Sequence, residues 1–307
     1  MARVRIMSNL NASGYKEYAD EWKKALTEPS RIRIANTWLD TDTLDAWRHA
    51  NMRAPLLPII QTKPSASWLT VGDGRFGTDG HFLLSAGAQH VHCTDISDTL
   101  LKVGFDKNFI TSFSAENAEH LSFKDDSFDY VYCKESFHHF ARPYAALYEM
   151  YRVAKRGVIL TEPRDTSIDK EPFELLKDLA KTLLGRKTRA SHGFEPIGNY
   201  IYSVSEKELE KALMGLEGSA IATIGCNDAY REGVEFVSLQ SKAPQDLALQ
   251  NAIRSEIKRL DWLCKLRLKK STLLSAVLFK TPPDSGLCSA MAQGGWAVQH
   301  LPKNPYK

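Results

Sequence analysis

The sequence predicts an α/β protein built on a parallel, doubly wound sheet. Three observations carry that expectation. Short apolar runs alternate with amphipathic stretches over residues 67–162. The first run leads directly into Gly72-Asp73-Gly74-Arg75-Phe76-Gly77, and the second ends on Asp95. Strands alternating with helices call for crossovers that cover both faces of one parallel sheet.

The elements follow in chain order. Residues 1–66 read as a helical arm, with Tyr15, Tyr18 and Trp22 at the spacing of one helix face. Such a stripe is more often core than lid. Pro55, Pro58 and Pro64 interrupt the arm before the first strand, Trp68 to Val71. A helix is expected from about Thr78, stopped by Gly87, a residue suited to a left-handed helix end. Val91 to Thr94, Phe109 to Phe113, Phe128 to Cys133 and Gly157 to Thr161 are the next strands. Pro143 opens an amphipathic helix that runs to about Ala154.

The division expected is a cofactor-binding, Rossmann-like core over 67–163 and a cap insertion with a helix over 164–218. Strands and a helix over 219–282 complete the sheet, and a poorly packed tail spans 283–307. Within the cap lies an apolar helix near 172–184, and Ser205-Glu206-Lys207-Glu208 has the form of a capping box. Ala220 to Ile224 and Leu274 to Phe279 bring the strand count to seven, around a helix over 245–270.

Composition narrows the function classes. Of 307 residues, 43% are hydrophobic and 25% charged, which is ordinary globular usage. The net charge of +3 gives no support to a nucleic-acid partner. Five dispersed cysteines without a Cys-x-x-Cys pair fit a reducing compartment and argue against a zinc site, so no metal is expected. The start of the chain lacks a signal-peptide core, and the apolar stretches are short for a membrane span. The expectation is a soluble, cytoplasmic monomer or homodimer with no nucleic-acid or membrane partner.

The glycine loop carries the chemistry. Glycines after a strand and before a helix permit a tight turn and let backbone N–H groups approach a ligand. An acid at the end of the next strand, Asp95, can accept the two hydroxyls of a ribose. Together they point to an adenosine-containing cofactor at the carboxyl ends of the strands.

Five segments in order resemble the class I S-adenosylmethionine-dependent methyltransferases, most of all the small-molecule group that includes quinone-biosynthesis enzymes. They are Leu69-Thr70-Val71-Gly72-Asp73-Gly74, Val91 to Ser97, Asn117-Ala118-Glu119-His120-Leu121-Ser122-Phe123, Asp126-Ser127-Phe128-Asp129-Tyr130-Val131 and Glu149 to Val153. The resemblance implies a seven-stranded sheet whose last strand is antiparallel, with S-adenosyl-L-methionine as cofactor. It implies cofactor contacts at Gly72, Asp73, Gly74, Gly77, Asp95, Ile96, Asn117, Ala118 and Glu135. Two positions depart from the pattern: Thr70 stands where the first motif usually has an acid, and Asn117 where the adenine segment usually has Asp. Asp73 or Asp79 is the candidate substitute for the first.

Methyl transfer requires alignment, exclusion of water and, for an oxygen or nitrogen acceptor, a proton acceptor. His138 and His139 follow the fourth strand and are candidate bases; the plainer reading is that they steady the loop. Glu162 and Asp165 follow the fifth strand and are expected to face the pocket. The basic run Lys181, Arg186, Lys187, Arg189 and His192, with Tyr200 and Tyr202 after it, makes the cap the expected selector of the acceptor, a sugar or another biosynthetic intermediate. Residues 254–270 hold seven basic and two acidic side chains, read as a surface helix.

Two alternatives stay open. A nicotinamide-dependent oxidoreductase would use the same glycine loop and Asp95, and Tyr151 and Lys155 have the Tyr-x-x-x-Lys spacing of one such family, on a different element. A non-catalytic, methyltransferase-like binding protein would suit Thr70 and Asn117.

Overall fold

The computed structural model describes residues 12–185, 193–194 and 200–306. Its centre is an eight-stranded sheet in the order β3-β2-β1-β4-β5-β7-β6-β8. The strands are β1 (Ser67–Val71), β2 (His90–Asp95), β3 (Phe113–Ala115), β4 (Phe128–Lys134), β5 (Ala154–Pro163), β6 (Ala220–Cys226), β7 (Leu273–Phe279) and β8 (Ala297–His300). β1 to β5 pair in parallel, and β7 lies antiparallel between β5 and β6. The central strands carry apolar side chains on both faces because helices cover both. All seven residues of β7 are buried.

Among the described residues, four helices precede the sheet: α1 (Ala12–Thr27), α2 (Pro29–Thr37), α3 (Leu44–Arg53) and α4 (Leu57–Thr62). Between and after the strands come α5 (Thr78–Ser85), α6 (Thr99–Asp106), α7 (Pro143–Val153), α8 (Pro172–Leu183), α9 (Glu206–Gly215), α10 (Pro244–Lys265) and α11 (Ser285–Gln293). One core layer packs α7 and α9 on the sheet through Leu147, Met150, Leu209 and Leu213. The opposite layer packs α4, α5 and α11 through Ile59, Leu83, Leu287 and Met291. None of the described helices is long and apolar enough to cross a membrane.

The strand order reverses between β1 and β4, and such a reversal opens a crevice at the carboxyl ends. Here Gly72 ends one wall and Ser136 the other, joined where the Ser136 hydroxyl donates to the Gly72 carbonyl at 2.7 Å.

Three sequence expectations are corrected. The first is the tail, which forms α11 and β8 and is anchored by Leu287, Met291 and Trp296. Asp284 caps α11 by accepting from Leu287 N–H, Trp296 is buried, and β8 pairs antiparallel with β6 as an eighth strand. The third strand begins at Phe113; Phe109 instead stacks on His81 at 3.7 Å and Ile110 is buried in the core beneath that edge. Their apolar character serves loop packing rather than pairing. α10 stops at Lys265, and Arg267 beyond it is left-handed, with φ of 54°. Tyr18's side chain and residues Arg186, Lys187, Arg189 and His192 of the basic run lie outside the described residues.

Lys280, just past β7, reaches across to the end of α7. Its ammonium donates to the carbonyls of Tyr151, Arg152 and Ala154 and to Asp126 Oδ1. Lys280→Met strands those carbonyls and is expected to lower stability by about 1–2 kcal/mol, measured by chemical denaturation.

Candidate active site

The glycine loop is pinned from below by Asp73. Its carboxylate accepts from the Thr70 hydroxyl at 2.8 Å and from the N–H groups of Asp79 and Gly80 in the first turn of α5. Burial and the nearby Asp79 carboxylate push the Asp73 carboxyl well up from its ordinary value. Thr70 therefore works with an acid three residues on, which places the carboxyl group inside the loop. Asp79 is held by Arg53 at 2.6 Å.

Two glycines are sterically required. Gly72 has φ of 75°, and a Cβ there would lie 2.4 Å from Ser136 Cβ. At Gly74 a Cβ would stand 2.6 Å from the Trp22 ring and 2.8 Å from Asp95 Oδ2. Gly77 starts α5 and packs against Ile110, outside the cavity lining.

Asp95 ends β2 and is buried. Burial pushes its carboxyl up to about 7, against the pull of Ser97 N–H, the Trp22 side chain and the backbone of Gly74 and Ile96. Trp22 thus spans Gly74 and Asp95, where a ribose would be received. It also belongs to a cluster with Ala25, Ala35, Phe76 and Leu100, so the aromatic stripe is both core and cover.

Ile96, Asn117 and Ala118 line the same cavity. Asn117 Oδ1 accepts Glu119 N–H at 2.9 Å, so its carbonyl is spent within the turn and its amide N–H₂ is what can meet an adenine edge. Glu119 accepts from Arg142 N–H and Nε. Arg142 also reaches the Tyr15 hydroxyl at 3.4 Å, which ties α1 to this loop.

Past the glycine loop, β4 runs into Glu135, held left-handed with φ of 47°. Burial opposes its charge, but Lys134, Arg75 and His138 hold its carboxyl down at about 2. Glu162 does not face the cavity, contrary to the sequence expectation. It is fully buried and accepts from Ser136 N–H and Phe137 N–H at 3.0 Å and from His138 Nδ1 at 2.6 Å. A carboxylate at Nδ1 fixes the proton there and leaves Nε2 as the basic nitrogen. Asp165 also misses the cavity, because its carboxylate binds Ser167 and Ile168 in its own turn. His138 and His139 both line the cavity, their rings 3.9 Å apart.

The cavity holds about 980 Å³, and its far end is built by α2, α3 and the loop around Asp228 to Glu235. No described residue of the cap lines it; Arg186, Lys187, Arg189 and His192, on which the expectation of a cap that selects the acceptor rests, lie outside the described residues. Arg48 joins Asp45 at 2.7 Å and forks onto Asp228. His49 Nδ1 receives Lys134 Nζ at 2.9 Å, and burial together with Lys134, Arg53, Arg75 and Arg48 pushes its pKa well below the ordinary range. Asp45, Arg48 and His49 share one face of α3 by spacing, the one signal in the sequence that could have found them. Among the described residues no group of His, Cys, Asp and Glu could hold a metal ion.

A glycine-cradled crevice at the β1/β4 reversal, closed by an acid on β2, defines a nucleoside-cofactor α/β domain. Residues 70–161 match the family described as "Methyltransferase domain", and this central region is similar to the class I S-adenosylmethionine-dependent methyltransferases. The chain is 30% identical over 123 residues to a demethylmenaquinone methyltransferase of Streptomyces griseus, covering 40% of this chain and 53% of that one. It is 30% identical over 157 residues to a ubiquinone/menaquinone biosynthesis C-methyltransferase of Cupriavidus pinatubonensis, covering 47% and 65%. The chain thus spans between about half and two thirds of the curated relatives it matches. A magnesium protoporphyrin IX methyltransferase from Synechocystis, solved with its bound cofactor, aligns over 88% of this chain and 100% of that one at 15% identity, with a TM-score of 0.48.

Proposed function

We propose that this protein transfers a methyl group from S-adenosyl-L-methionine to an oxygen or nitrogen of a polar small-molecule acceptor. The observation that carries the reading is the convergence, on one crevice, of the glycine cradle at Gly72, the buried Asp95 and the Glu162-held His138. The residues fit the cofactor: the cradle admits no side chain, and Asp95 offers a buried acceptor. Bound there, S-adenosyl-L-methionine supplies an electrophilic methyl group for in-line displacement.

The chain's own residues do the rest. Asp95 holds the ribose hydroxyls, while Ile96, Asn117 and Ala118 border the adenine. Glu135 lies on the side of the methionine end. The cover of α1 excludes water. His138 Nε2 takes the proton from the acceptor, and Glu162 stabilises the imidazolium that results. The wall of Arg48, Asp228, His49 and Lys134 supplies directional partners for a hydroxylated intermediate such as a sugar.

The test is methyl transfer from radiolabelled S-adenosylmethionine to a panel of sugar and phenolic acceptors. His138→Gln is expected to lower kcat by about a hundredfold or more with little change in cofactor affinity. An unchanged kcat would remove His138 as base. The relatives named as quinone-biosynthesis C-methyltransferases favour a second reading, transfer to a ring carbon after loss of a hydroxyl proton; carbon-13 NMR of the product separates the two.

Trp22 must leave Asp95 for a ribose to take its place. Trp22→Ala is therefore expected to tighten S-adenosylhomocysteine binding up to about tenfold, the worth of one hydrogen bond to a charged group. Calorimetry reads this, and weakened binding would make Trp22 a cofactor contact instead.

A further inference from the structure

Helix α8 carries its amphipathic character the wrong way round for a water-soluble protein. Such a helix normally buries its apolar stripe and turns its polar face to water. Here the acidic side meets the protein body. Glu171, at the N-cap, lies 3.4 Å from Lys270 Nζ, and Glu174 accepts from Lys270 N–H at 3.4 Å. Asp178 pairs locally instead, with Lys170 just before the helix and Lys181 on it.

Helical spacing sets Leu176 and Leu183 opposite Glu174, flanked by Phe173 and Leu179. These four are 62%, 79%, 50% and 57% exposed, respectively, and no residue of the helix is buried. An exposed apolar face of this extent marks an interaction surface.

Lys270 links this helix to a second exposed patch at the end of α10. There Trp262 and Leu266 are 57% and 50% exposed. Around them stand Lys265, Arg267 and Lys269, for which no carboxylate partner is found among the described residues. Apolar side chains beside unneutralised cations, with a tryptophan among them, suit a lipid surface of negative charge. A symmetric pairing of two copies through the same face would instead bring each basic cluster toward its twin.

We propose that α8 and the adjoining end of α10 dock on the surface of an anionic lipid bilayer, the apolar face of α8 resting at the acyl boundary. The binding is peripheral and independent of the catalytic reading. It leaves the cavity, lined from α1, α2, α3 and the sheet, clear of the membrane-facing helix.

The test is flotation of the full chain with vesicles of phosphatidylglycerol and phosphatidylcholine, against phosphatidylcholine alone. The protein is expected to float with the anionic vesicles and to be released by salt. Leu176→Glu with Leu183→Glu should lower the bound fraction at least tenfold, as should Lys265→Glu with Arg267→Glu and Lys269→Glu. Both variants should keep the thermal midpoint and S-adenosylhomocysteine binding of the parent. Failure of the parent to float with anionic vesicles would overturn the proposal. So would equal flotation with neutral vesicles, or a dimer, seen by light scattering, that the leucine variant dissociates.

Discussion

Glu162→Ala is expected to cost about 3–5 kcal/mol of stability and to abolish methyl transfer. The carboxylate is fully buried and accepts from three strong donors, Ser136 N–H, Phe137 N–H and His138 Nδ1, and weakly from Cys133 Sγ at 3.9 Å. Removing it leaves these donors without a partner, and each buried orphan costs on the order of 1–3 kcal/mol. Glu162→Gln separates folding from chemistry. Its carbonyl still serves the two backbone donors, but its N–H₂ faces His138 Nδ1. The imidazole must then accept at Nδ1 and carry its proton on Nε2, which is the wrong tautomer for a base. The expected result is a loss of about 1 kcal/mol in stability with a kcat lowered about a hundredfold or more. Denaturation and single-turnover kinetics on the same preparation read both. A Gln variant with full activity would show that His138 takes no proton.

The second large effect is at Asp95. Asp95→Asn keeps the shape but loses the charge-assisted acceptors, and should weaken S-adenosylhomocysteine binding by roughly ten- to a hundredfold. The parent should show a pH dependence that the variant lacks. Burial raises the Asp95 carboxyl to about 7 in the ligand-free protein, and ribose recognition needs the carboxylate. Affinity therefore climbs as pH rises through 7, with a gain of about tenfold between pH 6 and 8. Stability of the ligand-free protein runs the other way. A carboxyl whose folded pKa is raised contributes stability at acid pH, and that contribution is lost as pH rises from about 4 through 7. Titrations across this range, with denaturation of the ligand-free protein beside them, check both signs.

Much of this was legible in the chain. The runs at Trp68, Val91, Phe128 and Gly157 became strands because apolar residues on both faces have no other burial in an α/β protein. The glycine loop and Asp95 could be read because their chemistry is local and directional. β8 escaped because Ala297 to His300 is short and largely exposed, with no periodicity to show. Glu162 was misread for a physical reason. Residues at a strand's carboxyl end usually open toward the ligand, but this side chain turns beneath the β4 loop, where three donors await it. The acceptor wall was out of reach for another. Arg48 and Asp228 are 180 residues apart, and His49 meets Lys134 across 85. The sequence displays α3's charged face without displaying its partners.

The decisive measurement is a crystal structure of the complex with S-adenosylhomocysteine. Both ribose hydroxyls are expected on Asp95, with the Trp22 indole withdrawn from that carboxylate and the sulfur facing the side of the cavity that holds His138. An adenosine bound elsewhere, or an Asp95 still occupied by Trp22 with ligand present, would contradict that placement.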